Sequence, residues 1–463
     1  MNRSILVNKD NPISESLIDK IDFIQTLDIF NKDVKVEKET YNAYLELKDY
    51  CLKMSYEIGI SSAFRSFDEQ RETYEYYFNK FGKDYCDEYV APIGASEHHT
   101  GLAIDFYVKE ENGYPKDDQD ISSLDSYLEI HKYLKDFGFI LRYPKGMENI
   151  TGFNYEPWHI RYVGKTIANE IDRLGITYEE YKESFSGVVV VNKEKGMTSF
   201  DVVDRVSKIF GIKKVGHTGT LDPMAEGVLI VCIGKACKIV ELLTAEDKEY
   251  IAEAKLGIKT DTYDIEGKVL EENKVVLYNI DEVLNRFKKT YMQEVPIYSA
   301  VKVNGKKLYE YARNNIDVEL PKKKVTVKNI ELLENSNDTF KFRCLVTKGC
   351  YIRSLINDIG NSINCGAVMT SLVRTKQGNV SINDSYTLSD IENGNYKIYS
   401  IEEVLDYPKI MVDKELEFKI SNGMKLDNNW NIEDKVMFIN KDNKLLGIYE
   451  KDDNLLKVWK NFV

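Results

Sequence analysis

No apolar run in the sequence approaches the ~20 residues that a membrane-spanning helix needs, and its opening, MNRSILVNKDNPISES, has no signal-peptide core. With only 9 prolines and 27 glycines in 463 residues, collagen-like and proline-rich disordered chains are excluded. The 7 cysteines (51, 86, 232, 237, 344, 350, 365) contain no CxxC pair. An odd count at irregular spacing, without a secretion signal, points to reduced thiols used as small buried side chains. Internal repeats and low-complexity linkers are also missing. These absences predict a cytoplasmic, globular chain.

What is present suggests two different parts. The length corresponds to two to four domains at roughly 100–200 residues each, and 43% hydrophobic residues suffice for a core in each. Residues 1–186 carry 22 Lys+Arg and 35 Asp+Glu, a net of −13, whereas 187–463 carry 41 of each. Four of the five histidines (98, 99, 131, 159) also lie in the first part. So acidic a segment is a poor attractor of nucleic acid.

Apolar spacing predicts helices over 39–58, 66–81 (capped by Ser66), 122–137 and 164–183, with strands at 59–64, 102–108 and 156–163. From 187 the texture changes to an apolar strand, GVVVVNKEKG, followed by a helix with Thr198 or Ser199 as N-cap. Short β-rich stretches follow at 228–233, 250–257, 268–270, 298–303, 324–333 and 340–347. Helices are expected at 234–243, 281–290, 305–314 and 351–363. Residues 401–463 alternate short strands with Asn/Asp turns, which suggests a small β domain.

In the first part, Arg65 in SAFRSFDEQ, the segment SEHHTGLAIDF (96–106) and EPWHIRY (156–162) stand out. A catalytic zinc takes about three protein ligands and leaves one position for water. His98, Asp105 and His159 can supply a His₂Asp set, with Glu156 as general base. His99 is set aside because adjacent residues point apart, and His131 is read as a packing or surface residue. The ordered pattern SxHxxGxAxD followed by ExxH resembles the VanY-like D-alanyl-D-alanine carboxypeptidases over about residues 5–165. The resemblance implies an α+β zinc domain in which His98, Asp105 and His159 hold Zn²⁺ and Glu156 is the base. It also implies that Arg65, with Ser96 and Gln70, faces a peptide ending in D-Ala-D-Ala.

In the second part, VGHTGTLDPMAEGVL (215–229) sets the single acid Asp222 in a glycine-rich loop. KEYIAEAKLGIKTDTYDIEG places Tyr250 on a strand, and TKGCYIRSLINDIG places Tyr351 and Arg353 at a helix start. An acid, two aromatics and an arginine suit a pocket that stacks a flipped base. Together with NKEKGMTSFDVV, YSAVKVNGKKLYEYAR, PKKKVTV and LVRTKQG, these segments resemble the TruB family of tRNA pseudouridine synthases over about 187–463. That family isomerises uridine 55 in the T-loop of tRNA without cofactor or metal.

The resemblance implies a synthase core with a mixed, mostly antiparallel sheet and a small β-rich PUA-like C-terminal domain. Asp222 would be nucleophile or base, Arg353 its ion partner, Tyr250 the stacking ring that helps remove the C5 proton, and Tyr351 the ring beneath the base. His217 would lie against displaced T-loop bases. Lys302, Lys306, Lys307 and Lys322 to Lys324 are candidate phosphate contacts. The sequence therefore divides as an α+β peptidase-like domain (1–183), an α+β synthase core (187–395) and a C-terminal RNA-binding domain (401–463). The alternative keeps the synthase as sole activity and makes the first domain a non-catalytic binding module or passenger.

Overall fold

The computed structural model describes residues 3–116, 121, 124–276, 278–314 and 316–463. The chain divides into two compact units. One contains Met1–Phe185 with the later segments Arg205–Lys214 and Ser389–Tyr396; the other contains Ser186–Asp204, Val215–Leu388 and Lys397–Val463. The two later segments of the first unit could not be assigned to it from charge and motifs.

The first unit is built on a four-stranded antiparallel sheet in the order Ile58–Ser62, Ala103–Val108, His159–Tyr162, Phe139–Leu141. Period-two alternation sends Ile104, Phe106 and Ile160 into one face, where Tyr44, Leu47 and Cys51 of the helix Lys38–Lys53 cover them. The opposite positions, Asp105 and His159, are direct cross-strand partners. Apolar burial on one face thus delivers two polar side chains to the other, with Cβ atoms about 5 Å apart. The helix Phe67–Phe81 begins at Ser66 with a capping box closed by Glu69.

The helix expected over 39–58 stops at Lys53, because Ile58–Ser62 joins the sheet. The helix expected over 122–137 is a helix Asp125–His131 and a 3-10 turn Leu134–Phe137, with residues 122 and 123 outside the described ones.

The second unit holds a nine-stranded sheet. Its main path runs Thr290–Glu294, Lys322–Asn335, Thr339–Val346, Lys248–Leu256, Ala367–Gln377, Glu226–Ile233, Gly187–Lys193. All pairings are antiparallel except that between Ala367–Gln377 and Glu226–Ile233. Lys248–Leu256 lies in the middle with strictly alternating burial, and the helix Ile352–Ser362 buries Ile352, Leu355, Ile356 and Ile359. At Gly227 a Cβ would meet the Arg374 carbonyl oxygen at 2.3 Å, and φ is +99°, so only glycine fits beside the parallel strand.

The C-terminal region is a five-stranded sheet (409–461) around Val436, Phe438, Tyr449 and Leu456. It also contains a helix, Lys414–Ser421, capped by Asp413, which the strand-and-turn reading of 401–463 missed. Two further expectations are corrected. Helix 281–290 is the shorter Ile280–Asn285. Of the strand expected at 298–303 only Lys302–Val303 forms, because the Ser299 and Val301 carbonyls accept from the Tyr309 and Leu308 N–H groups instead of joining the large sheet.

Candidate active sites

In the first unit, His98, Asp105 and His159 are the one group among the described residues whose ligand atoms cluster for a metal, all within 4.8 Å of one another. Asp105 and His159 come from paired strands, and His98 from the 3-10 turn Glu97–Thr100 that leads into the Asp105 strand. His98 Nδ1 donates to the Ala63 carbonyl at 2.5 Å, so its Nε2 faces Asp105 Oδ2 at 3.2 Å. Burial pushes the His98 imidazole below its ordinary pKa, with Asp105 opposing that only in part. His98 Nε2 and Asp105 Oδ2 thus face each other at a separation that two ligands of one zinc ion would have.

His159 Nδ1 lies 2.9 Å from Asp105 Oδ1, an oxygen that is buried without a hydrogen-bond partner. Tetrahedral ligands on zinc bonds of about 2.05 Å sit about 3.3 Å apart, so this donor set fits the ion. Burial disfavours the charged imidazole, yet Asp105, then Glu97 and Glu156, outweigh it and lift His159 to about 10. Burial likewise opposes the charge on Asp105, but the two imidazoles hold it well below the usual carboxylate range.

Glu156 and Arg65 line the same cavity, of about 530 Å³, with Ser96. Glu156 Oε2 is 3.7 Å from His159 Nδ1. Arg65 spends Nη1 on Gln70 Oε1 (2.9 Å) and Nη2 on Ser62 Oγ (3.3 Å). Gln70 is fully buried, and its amide also donates to the Ala91 carbonyl, so it orients Arg65. His99 is no ligand: Nδ1 donates to the Arg65 carbonyl, Nε2 accepts from Gly94 N–H, and the ring stacks on Phe67. His131 is more than packing. Its Nε2 donates to the Pro157 carbonyl at 2.8 Å, bracing the segment between Glu156 and His159.

Sequence reasoning missed Glu97. Its Oε2 lies 3.7 Å from His159 Nε2, while Oε1 accepts from Arg142 (2.9 Å) and Arg161 (2.7 Å). All three are buried, and the two guanidiniums outweigh the burial cost and keep Glu97 ionised. A carboxylate behind a histidine fixes which ring nitrogen faces a metal. Nothing in the sequence distinguishes Glu97 from a surface acid, because its partners lie 45 and 64 residues away.

In the second unit, a cavity of about 400 Å³ is lined by Asp222, Tyr250, Tyr351, Lys248, Tyr298 and Leu372 among others. Arg353, 5% exposed, meets Asp222 with two nitrogens: Nε lies 2.9 Å from Oδ2 and Nη2 donates to Oδ1 at 3.2 Å. Burial raises the Asp222 pKa, Arg353 lowers it, and nearby Asp264 raises it again; the net direction is upward. Tyr250 is buried in the central strand, which keeps its hydroxyl protonated well into alkaline pH.

Asp264 and Arg374 were also missed. Asp264 accepts from Arg353 Nη1 at 3.3 Å and from Thr262 Oγ1 at 2.7 Å, so the guanidinium is held from both sides. Arg374, 1% exposed, donates to the Val228 and Gly219 carbonyls and braces the start of the Asp222 loop. His217 Nδ1 accepts from Gly219 N–H at 3.2 Å in the same loop. Lys302, Lys306 and Lys322 to Lys324 are exposed, and Lys307 is half-buried.

Family models match in two places. Residues 33–165 match D-alanyl-D-alanine carboxypeptidase. Residues 207–352 match the N-terminal domain of the TruB family pseudouridylate synthases, and 353–408 match a tRNA pseudouridylate synthase B C-terminal domain. The tRNA pseudouridine synthase B of Clostridium tetani is 44% identical over 273 residues, covering 58% of this chain and 93% of that protein. The corresponding protein of Fusobacterium nucleatum is 43% identical over 285 residues, covering 60% and 99%. Among solved structures, an H/ACA RNP bound to a substrate RNA containing 2'-deoxyuridine aligns at 24% identity and TM-score 0.47, over 62% of this chain and 87% of that one. A vancomycin-resistance D,D-pentapeptidase VanY in complex with Zn(II) aligns at 27% identity and TM-score 0.33, over 39% and 99%.

Proposed function

Because the chain belongs to the tRNA pseudouridine synthase B family, we propose that its second unit isomerises uridine 55 in the T-loop of tRNA, with Asp222 as the catalytic carboxylate. The observation that carries this is the bidentate approach of Arg353 to the one acid in a cavity walled by Tyr250 and Tyr351. The reaction breaks the bond from C1′ to N1, turns the base, joins C1′ to C5 and moves the C5 proton away; no atom is gained or lost. Arg353 keeps Asp222 ionised against burial, ready to attack C1′ or take a proton. Tyr250, held protonated, offers a stacking face and a hydroxyl rather than a phenolate base. His217 and the exposed Lys302, Lys306 and Lys322 would hold displaced bases and phosphates. A tRNA substrate supports reading the chain as cytoplasmic.

The test is conversion of a T-loop hairpin by the purified chain. Product at position 55 alone, lost in Asp222→Asn, is the expected result; conversion elsewhere, or by the variant, overturns the assignment.

For the first unit, His98, Asp105 and His159 would hold Zn²⁺, which when bound supplies a Lewis acid at the scissile carbonyl of a peptide ending in D-Ala-D-Ala. Glu156 would take and return the proton of the attacking water, and Arg65, oriented by Gln70 and Ser62, would hold a carboxylate or carbonyl of the substrate. The supporting observation is Asp105 set between two imidazoles, with Oδ1 2.9 Å from His159 Nδ1 and Oδ2 3.2 Å from His98 Nε2. Release of D-alanine that requires zinc and is lost in Glu156→Ala is expected. Stoichiometric zinc without release would favour the binding-module reading.

A further inference from the structure

Behind the Asp222 cavity, the helix Ile352–Ser362 is tied by side chains to the edge strand Thr290–Glu294. Gln293, 1% exposed, makes the central tie. Its Oε1 accepts from the backbone N–H of Tyr351 at 2.8 Å, and its Nε2 donates to the Tyr351 carbonyl at 3.1 Å. The same Nε2 donates to the Tyr291 hydroxyl at 2.9 Å, and that hydroxyl donates to Asp358 Oδ2 at 3.1 Å. One residue beyond Arg353, Ser354 Oγ donates to the Glu294 carbonyl at 2.9 Å.

The donors run in one direction only. Asp358, lifted by burial to about 6, is mainly a carboxylate at neutral pH and only accepts. Tyr291 therefore spends its single proton on Asp358 and must accept from Gln293. That fixes the amide with nitrogen toward Tyr291 and oxygen toward the Tyr351 N–H. Tyr351 needs such a partner because it begins the helix with extended φ/ψ and no side-chain cap. Gln293 behaves there as a borrowed peptide group, offering one acceptor and one donor to one residue's backbone.

We infer that Gln293 is a positioning residue of the synthase: it fixes the backbone of Tyr351, and so the ring that lines the cavity and the Arg353 guanidinium two residues on. This rests on the reading of the Asp222 cavity as the synthase site. Gln293 is not among the residues that line the cavity; it acts through Tyr351 and Arg353. The Tyr351 N–H and carbonyl set the polarity of the amide, and Tyr291, backed by Asp358, takes its remaining N–H.

The test compares kcat and the KM for tRNA in the full chain for wild type, Gln293→Leu, Gln293→Glu and Tyr291→Phe, with Asp222→Asn alongside and melting curves for each. Gln293→Leu should lose roughly 10- to 100-fold in kcat, as sub-ångström misplacement does, with KM changed by less than about threefold. Tyr291→Phe keeps both bonds to Tyr351 and should stay within about threefold of wild type. Gln293→Glu adds a pH readout. Ionised, the new carboxylate repels the Tyr351 carbonyl; protonated, it restores one donor and one acceptor. Its deficit against wild type should narrow as pH falls, with Tyr291, Asp358, Cys350 and Glu294 the titratable neighbours.

An unchanged kcat in a folded Gln293→Leu, or a pH-independent deficit in Gln293→Glu, overturns the inference. If Gln293→Leu does not fold, Gln293→Glu and its pH profile decide alone. Full activity in Asp222→Asn would instead sink the reading of the cavity, whatever the Gln293 variants do.

Discussion

Each unit sets a partly buried carboxylate in a cavity, and the two are partnered differently. Asp222 has its counter-charge built in, because Arg353 approaches it with two nitrogens and is itself steadied by Asp264. Asp105 instead faces two imidazoles, with His98 Nε2 3.2 Å from Oδ2 and His159 Nδ1 2.9 Å from Oδ1. Asp222 thus has a fixed guanidinium as its counter-charge, whereas Asp105 belongs to a donor set whose ligand atoms lie within 4.8 Å of one another. An acid with its own arginine keeps its counter-charge in the fold, while an acid between histidines presents a donor set of the kind that holds zinc.

The comparison can be broken most severely by removing each acid. Asp222→Asn should reduce pseudouridine formation at least about a thousandfold while zinc content stays at the wild-type level. A comparable loss of zinc in that variant would mean the two sites are not independent. Asp105→Asn should do the converse, lowering zinc affinity by more than about 100-fold, beyond the usual effect of residues behind the ligands, with pseudouridine formation intact. Chelator competition measures it.

Finer changes sharpen the contrast. Arg353→Met removes the guanidinium that lowers the Asp222 pKa against burial and Asp264. The active form is the carboxylate, so the acid limb of the kcat profile should move to higher pH by about one unit or more. A limb that stays in place would assign it to another group. Zinc affinity of the first unit should fall about tenfold per pH unit on acidification between pH 9 and 7, because His159, near 10 without metal, must give up its proton. A flat profile would mean that His159 is not a ligand. The smallest expected effect is that of Glu97→Gln, which keeps the shape but not the charge behind His159 and should weaken zinc about tenfold.

The two sites were not equally legible. His98, Asp105, Glu156 and His159 stood out because histidine is scarce, at five residues in the chain, and because the four lie in two short segments. Asp222 stood out through its glycine-rich loop. The residues that hold them did not. Glu97 resembles any surface acid until Arg142 and Arg161 close on it, Gln293 resembles any strand glutamine until Tyr351 is beside it, and Asp264 sits in an ordinary turn sequence. His131 gained its role from one hydrogen bond to Pro157, 26 residues on, and Gln70 from its pairing with Arg65 and the Ala91 carbonyl. The helix Lys414–Ser421 escaped notice because eight residues give only two turns of pattern.

By itself the sequence determined two family resemblances, their order along the chain, the mostly antiparallel α+β character and the candidate side chains, because residue type and short spacing carry that information. Tertiary structure alone decided which atoms those side chains present. The cross-strand register set Asp105 opposite His159, a backbone carbonyl turned His98 Nε2 inward, and a helix start braced by Gln293 brought Arg353 to Asp222 across 131 residues. Such arrangements rest on burying charge and satisfying every donor in three dimensions, and no local pattern in a chain encodes where that balance will close.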